Sequence, residues 1–324
     1  MLDRARGGDR RALARLLTMT ERGGRDLAAV AAASWPMRGS AQIVGLTGSP
    51  GAGKSTLSNA LCAELRSRGA TVGVLAVDPT SPYSGGAILG DRVRMEDHAL
   101  DPGIFIRSMA TRGHLGGLAV ATPSAARVLD AAGFDPVVIE TVGVGQVEVE
   151  IAGAADTTVV VVNPGWGDAV QAAKAGLMET ADLFVINKAD RPGAGETRRD
   201  LSASLEMAAR GDWMPPIVDT IATDGTGVEE LVDSIAEHRI WLEQSGEGAR
   251  RREQSLTGEL AAVLSAEVAL RAEVLAVGSD FEVARESVVR GEMDPWTAAA
   301  ELVESGLHRL LGPSSSGPPG VDES

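Results

Sequence analysis

The chain has 324 residues, with 30 Lys and Arg against 45 Asp and Glu and a formal net charge of −15. That length suits one core with added helical segments, and the acidic balance argues against a basic face for nucleic acid or for an anionic membrane. Cys62 is the one cysteine, so no internal disulfide can form; no apolar run is long enough to span a membrane, and the arginine-rich start lacks the apolar stretch of a secretory signal, which together predict a soluble protein of the cytoplasm.

Leu13, Leu16, Leu17, Leu27 and Val30 recur at helical spacing and predict two short helices over residues 9–34. Pro36 and Gly39 close this N-terminal helical extension, residues 1–40. From Gln42 the pattern changes to short β-branched runs separated by helical stretches. The runs are Gln42–Thr47, Thr71–Asp78, Ile104–Met109, Pro136–Thr141, Thr157–Asn163, Leu183–Asn187 and Ile217–Ala222. Several, such as Val159 to Val162, are apolar on both faces, as parallel strands covered from both sides must be. Residues 41–246 therefore read as an α/β domain with a mainly parallel sheet, closed by a helix over 228–244. Beyond it, 247–311 is helical. Residues 250–277 carry Leu256, Leu260, Val263, Leu264, Leu270 and Val274 along one side, interrupted by Glu267, and shorter helices follow at 280–291 and 295–311. That stripe needs cover either from the chain's own core or from a second subunit. The tail, 312–324, is rich in Pro, Gly and Ser and reads as disordered.

Three segments carry chemistry. The first is Gly48-Ser49-Pro50-Gly51-Ala52-Gly53-Lys54-Ser55-Thr56, which meets every fixed position of the phosphate-binding pattern G-x-x-x-x-G-K-[ST] between a predicted strand and a predicted helix, Leu57 to Arg68. Glycines let successive N–H groups turn inward on phosphate oxygens. Lys54 is expected at the β and γ oxygens, Ser55 on Mg²⁺, and Thr56 near the α-phosphate. The second is Asn187-Lys188-Ala189-Asp190 at a strand end. The Asp190 carboxylate can accept from both N1–H and the 2-amino group of guanine, a donor pair that adenine lacks. Lys188 can lie along the purine face, and Asn187 can tie the segment to neighbouring loops. Together these segments predict a GTP/GDP site, with Ala222 and Thr223 after the last strand as a further base contact.

The third group is acidic. Asp78 and Glu140 stand at C-terminal strand ends, where open α/β sheets bind ligands. Each is a candidate for the Mg²⁺ shell or for the attacking water, the alternative being a cap on the following turn. Gly143, in Glu140-Thr141-Val142-Gly143, can bring its N–H to the γ-phosphate. Asp91, ending a glycine-rich loop from Ser84, suits either metal or a helix N-cap. Lys174, past the Asn163 loop, suits phosphate or a partner, or a solvated helix face.

With these segments placed, the chain closely resembles the MeaB/ArgK family of P-loop GTPases. The resemblance rests on 48–56, Val77-Asp78-Pro79-Thr80-Ser81-Pro82, Gly85-Gly86-Ala87-Ile88-Leu89-Gly90-Asp91-Arg92, 140–146, Lys174, 187–190 and Met293-Asp294-Pro295-Trp296-Thr297-Ala298-Ala299, so it runs from about residue 9 to about residue 305. It implies a GTPase core with an N-terminal helical extension and a C-terminal arm for homodimerisation. It also implies a chaperone for an adenosylcobalamin-dependent acyl-CoA mutase such as methylmalonyl-CoA mutase, which couples GTP hydrolysis to cofactor loading and protects the mutase. By resemblance, Asp78, Asp91, Glu140 and Lys174 match catalytic or switch positions. Ile221 departs from the serine usual in the family's base loop, and Trp296 stands where a tyrosine is commoner. Two alternatives are a kinase or ATPase tied to amino-acid transport and a metal-inserting GTPase. The first lacks any protein-kinase motif. The second would need a Cys/His cluster, whereas Cys62 is alone and His98, His114, His238 and His308 are scattered.

Overall fold

The structure is a computed structural model describing residues 1–79, 98, 100–111, 117–141, 153–165, 178–207 and 212–311. The chain divides into two units, Met1–Ala262 and Val263–Ser324.

The first unit opens with α1 (Leu2–Arg6), α2 (Arg10–Arg22) and α3 (Gly24–Ser34). Leucine spacing anticipates the last two; α1 is only five residues long, too short to show a period. Asp9 caps α2 by accepting from the N–H groups of Arg11 and Ala12, both at 3.0 Å. The strands are β1 (Ile43–Gly48), β2 (Val72–Pro79), β3 (Ile104–Thr111), β4 (Val137–Thr141), β5 (Thr157–Val162), β6 (Leu183–Asn187) and β7 (Ile217–Thr220). Their ends lie within two residues of the predicted runs, and β6 matches its run at both ends; where they differ, pairing with neighbours rather than composition decides where a strand stops. They form one seven-stranded sheet in the order β3-β2-β4-β1-β5-β6-β7, and every pair is parallel. The helices α4 (Lys54–Ser67), α5 (Gly117–Ala131), α6 (Ala194–Met207) and α7 (Val228–Ser245) cover it.

Alternation along each strand sends side chains to two cores. On one face Leu46, Val159, Val161, Leu183 and Val185 pack with Leu57 and Leu61 of α4 and Leu231 and Ile235 of α7. On the other, Leu75, Ile139 and Met109 pack with Leu13 and Leu17 of α2 and Leu129 of α5, while Val160, Val162, Phe184 and Ile186 meet Leu201 and Leu205 of α6. The N-terminal helices thus belong to the main core. Arg107 of the edge strand β3 pairs with Glu21 of α2, which fixes that helix over the sheet's face there.

Below the strand roots, at the end opposite the phosphate loop, lies a buried polar chain. Gln42 Nε2 donates to Thr157 Oγ1 at 2.9 Å, and Thr157 Oγ1 lies 2.9 Å from His238 Nδ1. The Thr157 proton is then free to go to Nδ1, which places the imidazole proton on Nε2, 3.4 Å from Asp182 Oδ1. Trp213 and Trp241 flank the ring, at centroid distances of 4.7 and 5.5 Å.

The long helix α8 (Glu247–Leu275) begins in the first unit and ends in the second, which continues with α9 (Ser279–Val289) and α10 (Pro295–Leu311). None of the residues of α8 or α9 is buried. Among the described residues no helix is long and apolar enough to cross a membrane.

Burial, followed by the charge of Arg251, pushes His238 down from its ordinary 6.5 to about 3. Between those values the unfolded chain binds a proton that the folded chain refuses, so stability falls as pH drops below 6.5 and is unaffected above it. The slope for this one group is at most about 1.4 kcal/mol per pH unit. Urea midpoints measured from pH 7.5 to 5 should stay level and then decline below 6.5, and His238→Gln should flatten the decline. An equal slope in the variant would remove His238 as its source.

Candidate functional site

The phosphate loop leaves β1 through Gly48, whose φ is +133°. A Cβ there would lie 2.0 Å from the Val161 carbonyl oxygen of the neighbouring strand, so only glycine lets the loop turn this close to β5. Gly51 (φ +75°) and Gly53 (φ +91°) continue the curl, and Ala52 N–H donates to Ser49 O at 3.2 Å. α4 then starts at Lys54, one turn earlier than its apolar residues alone suggest, with its first N–H groups facing the loop. A helix start of this kind attracts anions.

Lys54 and Ser55 are each only 7% exposed. Lys54 Nζ donates to Gly48 O at 2.5 Å and to Ser49 O at 3.1 Å, so the ammonium is held across the mouth of the loop. Ser55 Oγ donates to Glu140 Oε1 at 2.6 Å. Glu140 is wholly buried on β4, whose register sets it beside Leu46 of β1. This hydroxyl and carboxylate are hard oxygen donors that fit Mg²⁺. Among the described residues no cluster of three or more His, Cys, Asp or Glu side chains is placed to hold a metal. A small protein share is normal for Mg²⁺, which keeps waters and phosphate oxygens as its other ligands.

The base-reading segment leaves β6 two strands from β1. Asn187 is 2% exposed. Its Nδ2 donates to Ala52 O at 2.8 Å, and its Oδ1 accepts from Thr220 Oγ1 and from Ala222 N–H, both at 3.2 Å. Lys188 takes a left-handed φ of +61°, and its Nζ donates to Gly51 O at 2.7 Å. Ala189 N–H donates to Thr220 O at 3.1 Å. Asp190 and Thr223 are exposed beyond these anchors. Ala222 N–H points at Asn187, so Ala222 braces the base loop.

The structure thus brings Gly48 to Thr56, Glu140, Asn187, Lys188, Asp190, Ala222 and Thr223 to the C-terminal edge of one sheet. Asp78 lies at the end of β2, and its side chain falls outside the described residues, as do Asp91, Gly143 and Lys174. Four further residues take part without a role assigned from the motifs. Thr220 is paired with Asn187 in the β6–β7 register. Asn163, after β5, has its Oδ1 3.4 Å from Ser49 Oγ. Thr47 and Thr141 have their hydroxyl oxygens 3.4 Å apart on β1 and β4. The only sequence signal for all of these is a polar residue at a strand's C-terminal end. Beneath the site, burial and then the charge of Glu140 push the Cys62 thiol up from 9.0 to about 12.

Comparison with known proteins places this geometry among relatives. A family model described as methylmalonyl Co-A mutase-associated GTPase MeaB matches residues 13–275. A Pyrococcus abyssi protein named as a GTPase is 48% identical, over 95% of this chain and 97% of its own. GTPase ArgK of Escherichia coli is 38% identical, with 78% of each chain covered. A Caenorhabditis elegans protein, methylmalonic aciduria type A homolog, mitochondrial, is 38% identical over 66% of this chain and 55% of its own. Among solved structures, that of an LAO/AO transport system kinase superposes with a TM-score of 0.70 at 30% identity, covering 94% of this chain and 95% of that one.

Two outcomes follow from the geometry. Asn187→Ala removes the tie between two loops and strands Thr220, so GDP affinity measured by titration should fall at least about tenfold, a loss of roughly 1.4 kcal/mol or more. An unchanged affinity would mean that the bridge is incidental. Cys62, buried and held as a thiol, should resist a thiol reagent at pH 8 in the native protein and react once the chain is unfolded in urea.

Proposed function

The chain belongs to the MeaB family of P-loop GTPases and hydrolyses GTP; on that premise we propose that it uses GTP hydrolysis to chaperone an adenosylcobalamin-dependent acyl-CoA mutase, methylmalonyl-CoA mutase first among them. The observation that carries the nucleotide chemistry is the convergence of Lys54, Ser55–Glu140 and Asn187 at one sheet edge. The partner reading draws on the family description and on the name of the nematode relative. In this reading the protein loads and protects the mutase's cobalamin in the cytoplasm.

Each side chain has an assigned task. Lys54 leaves the loop carbonyls for the β and γ oxygens, where its charge acts in both ground and transition states. Ser55 and Glu140 hold Mg²⁺, with Asp78 and Asp91 as further candidates; the ion would offset charge gathering on the γ-phosphate. Gly143 is a further candidate at the γ-phosphate, and Lys174 at phosphate or partner. Asp190 reads N1–H and the 2-amino group of guanine, Lys188 lies along the base, and Thr223 approaches from the base loop that Ala222 braces. Residues 1–40 extend the core, 41–246 form the GTPase domain and 247–311 the arm.

The arm is the proposed homodimer contact. Leu264 (62% exposed), Val268 (56%), Val274 (70%) and Trp296 (85%) are large apolar groups that stand exposed. A transport-linked kinase is suggested only by the name of the superposed structure. A metal inserter lacks its cargo ligands among the described residues.

Glu140→Ala should lower GTP turnover far more than GTP affinity, whereas Lys54→Ala should weaken both. Wild-type turnover in Glu140→Ala with Mg²⁺ present would remove Glu140 from the chemistry. Asp190→Asn should exchange GTP for xanthosine triphosphate, with a loss of about 1–3 kcal/mol for GTP. Turnover by the full chain should rise on adding the mutase, and a fast, mutase-independent rate would defeat the chaperone reading while leaving the GTPase intact. Light scattering should give a dimer, and Leu264→Glu with Val268→Glu should give a monomer.

A further inference from the structure

The root of α8 is held to the underside of the sheet by charged groups. Arg251 Nη1 lies 2.9 Å from Asp182 Oδ1 and 3.0 Å from Oδ2, and it reaches Asp156 O at 3.3 Å. Arg252 Nε donates to Asp156 Oδ1 at 3.2 Å. Further along, Glu259 accepts from Arg127 of α5 at 2.5 Å and from Ser124 at 3.4 Å.

The acceptors sit at the roots of β5 and β6. Asp156 directly precedes β5, and its Oδ2 accepts from Ile43 N–H at the root of β1 at 2.9 Å. Asp182 directly precedes β6 and is 4% exposed. Its Oδ2 accepts from Thr158 N–H at 2.8 Å, and its carbonyl from Trp213 Nε1 at 2.8 Å. The tips of the same two strands carry the nucleotide site: β5 leads to Asn163 beside Ser49, and β6 ends in Asn187, tied to Ala52. β6 has five residues, all buried, and its middle three, Phe184 to Ile186, pair with both β5 and β7, so it has little slack to absorb a shift of its root.

We propose that Asp182 and Arg251 are positioning residues for the guanine site: the root of α8, by gripping the roots of β5 and β6, sets how firmly Asn187 and its neighbours hold nucleotide, so that loosening α8 speeds release. Removing the guanidinium takes from a nearly buried carboxylate the cation that ties it to α8, leaving Thr158 N–H and the His238 ring beside it, and so loosens the root of β6. Coupling of this kind is reciprocal, so bound nucleotide also protects the backbone of 247–262. The helix carrying the grip continues past Ala262, which gives a partner that pulls on it a route to nucleotide exchange.

The inference rests on the guanine reading of 187–190, which preference of the wild type for GDP over ADP tests separately. The experiment uses the full-length chain and its variants Arg251→Met, Arg251→Lys and Arg250→Met. Arg250 pairs with Glu247, to which Arg251 Nε also donates at 3.2 Å, but it does not touch Asp182 or Asp156, so it serves as the control for that shared pair. GDP release is followed with a fluorescent analogue, and hydrogen exchange is read over 183–190 and 247–262. Arg251→Met should release GDP at least about five times faster, Arg251→Lys should fall between it and wild type, and Arg250→Met should match wild type. Exchange should rise in both segments, including the far end of β6, which a purely local loss at α8 would leave protected. Wild-type release by folded Arg251→Met, or equal acceleration by Arg250→Met, overturns the proposal. Should Arg251→Met fail to fold, Arg251→Lys decides by the same reading: faster release supports the proposal and wild-type release overturns it.

Discussion

The side-chain amide of Asn187 is the contact on which the site depends. A phosphate loop must turn its N–H groups inward, and that leaves backbone carbonyls such as Ala52 O in need of a donor away from water. Asn187 Nδ2 supplies that donor, while Oδ1 of the same amide collects Thr220 Oγ1 and Ala222 N–H. One planar group therefore sets the distance between the loop that holds phosphate and the loop that frames the base. Aspartate could not serve, because it has no donor for Ala52 O. The bridge also explains why residue 53 is glycine, since a Cβ there would sit 2.4 Å from Asn187 Nδ2.

Around this bridge the protein builds a local positive field inside a chain of net charge −15. The helix start at Lys54, the inward N–H groups and two lysines, Lys54 and Lys188, all face the same cleft. Both ammonium groups donate to carbonyls of the phosphate loop itself, at 2.5 and 2.7 Å, so they are already drawn to where the phosphates bind. The fully buried Glu140 is the counterweight. A carboxylate in that position is costly unless it is hydrogen bonded, and Ser55 meets part of that need at 2.6 Å. The same pair is suited to a divalent cation, so the feature that makes Glu140 tolerable also makes it useful.

Periodicity and motif were enough to read the parallel sheet, the phosphate loop and the base segment, because each is written locally. Val159 to Val162 announce a two-faced strand, and Lys54 and Asn187 stand at fixed spacings within their segments. What escaped was non-local. Thr220 gains its role from register with Asn187, 33 positions earlier, and Ser55 meets Glu140 across 85 positions. Neither distance leaves a mark on a sequence window. The five-residue α1 was too short to show a period, and α4 begins before its apolar residues do because the phosphate loop, rather than amphipathicity, nucleates it. The underside chain from Gln42 to His238 is likewise invisible in one dimension, being four scattered polar residues that only the fold gathers.

The arm poses a different problem for sequence reading. A helix in a single globular domain normally shows an apolar stripe matched to its own core. In α8, Leu260, Leu264 and Val268 are 69%, 62% and 56% exposed. Hydrophobic burial, about 25 cal/mol for each Å² removed from water, has to come from elsewhere if the helix is to hold its place. The charged grip fastens the first part of the helix, Arg251 at the roots of β5 and β6 and Glu259 at Arg127 of α5. A helix fixed at one end by ion pairs and left apolar at the other is suited to a second protein surface. On the proposed coupling, a surface that covered that apolar portion would act on the same helix that Asp182 and Arg251 tie to the roots of β5 and β6.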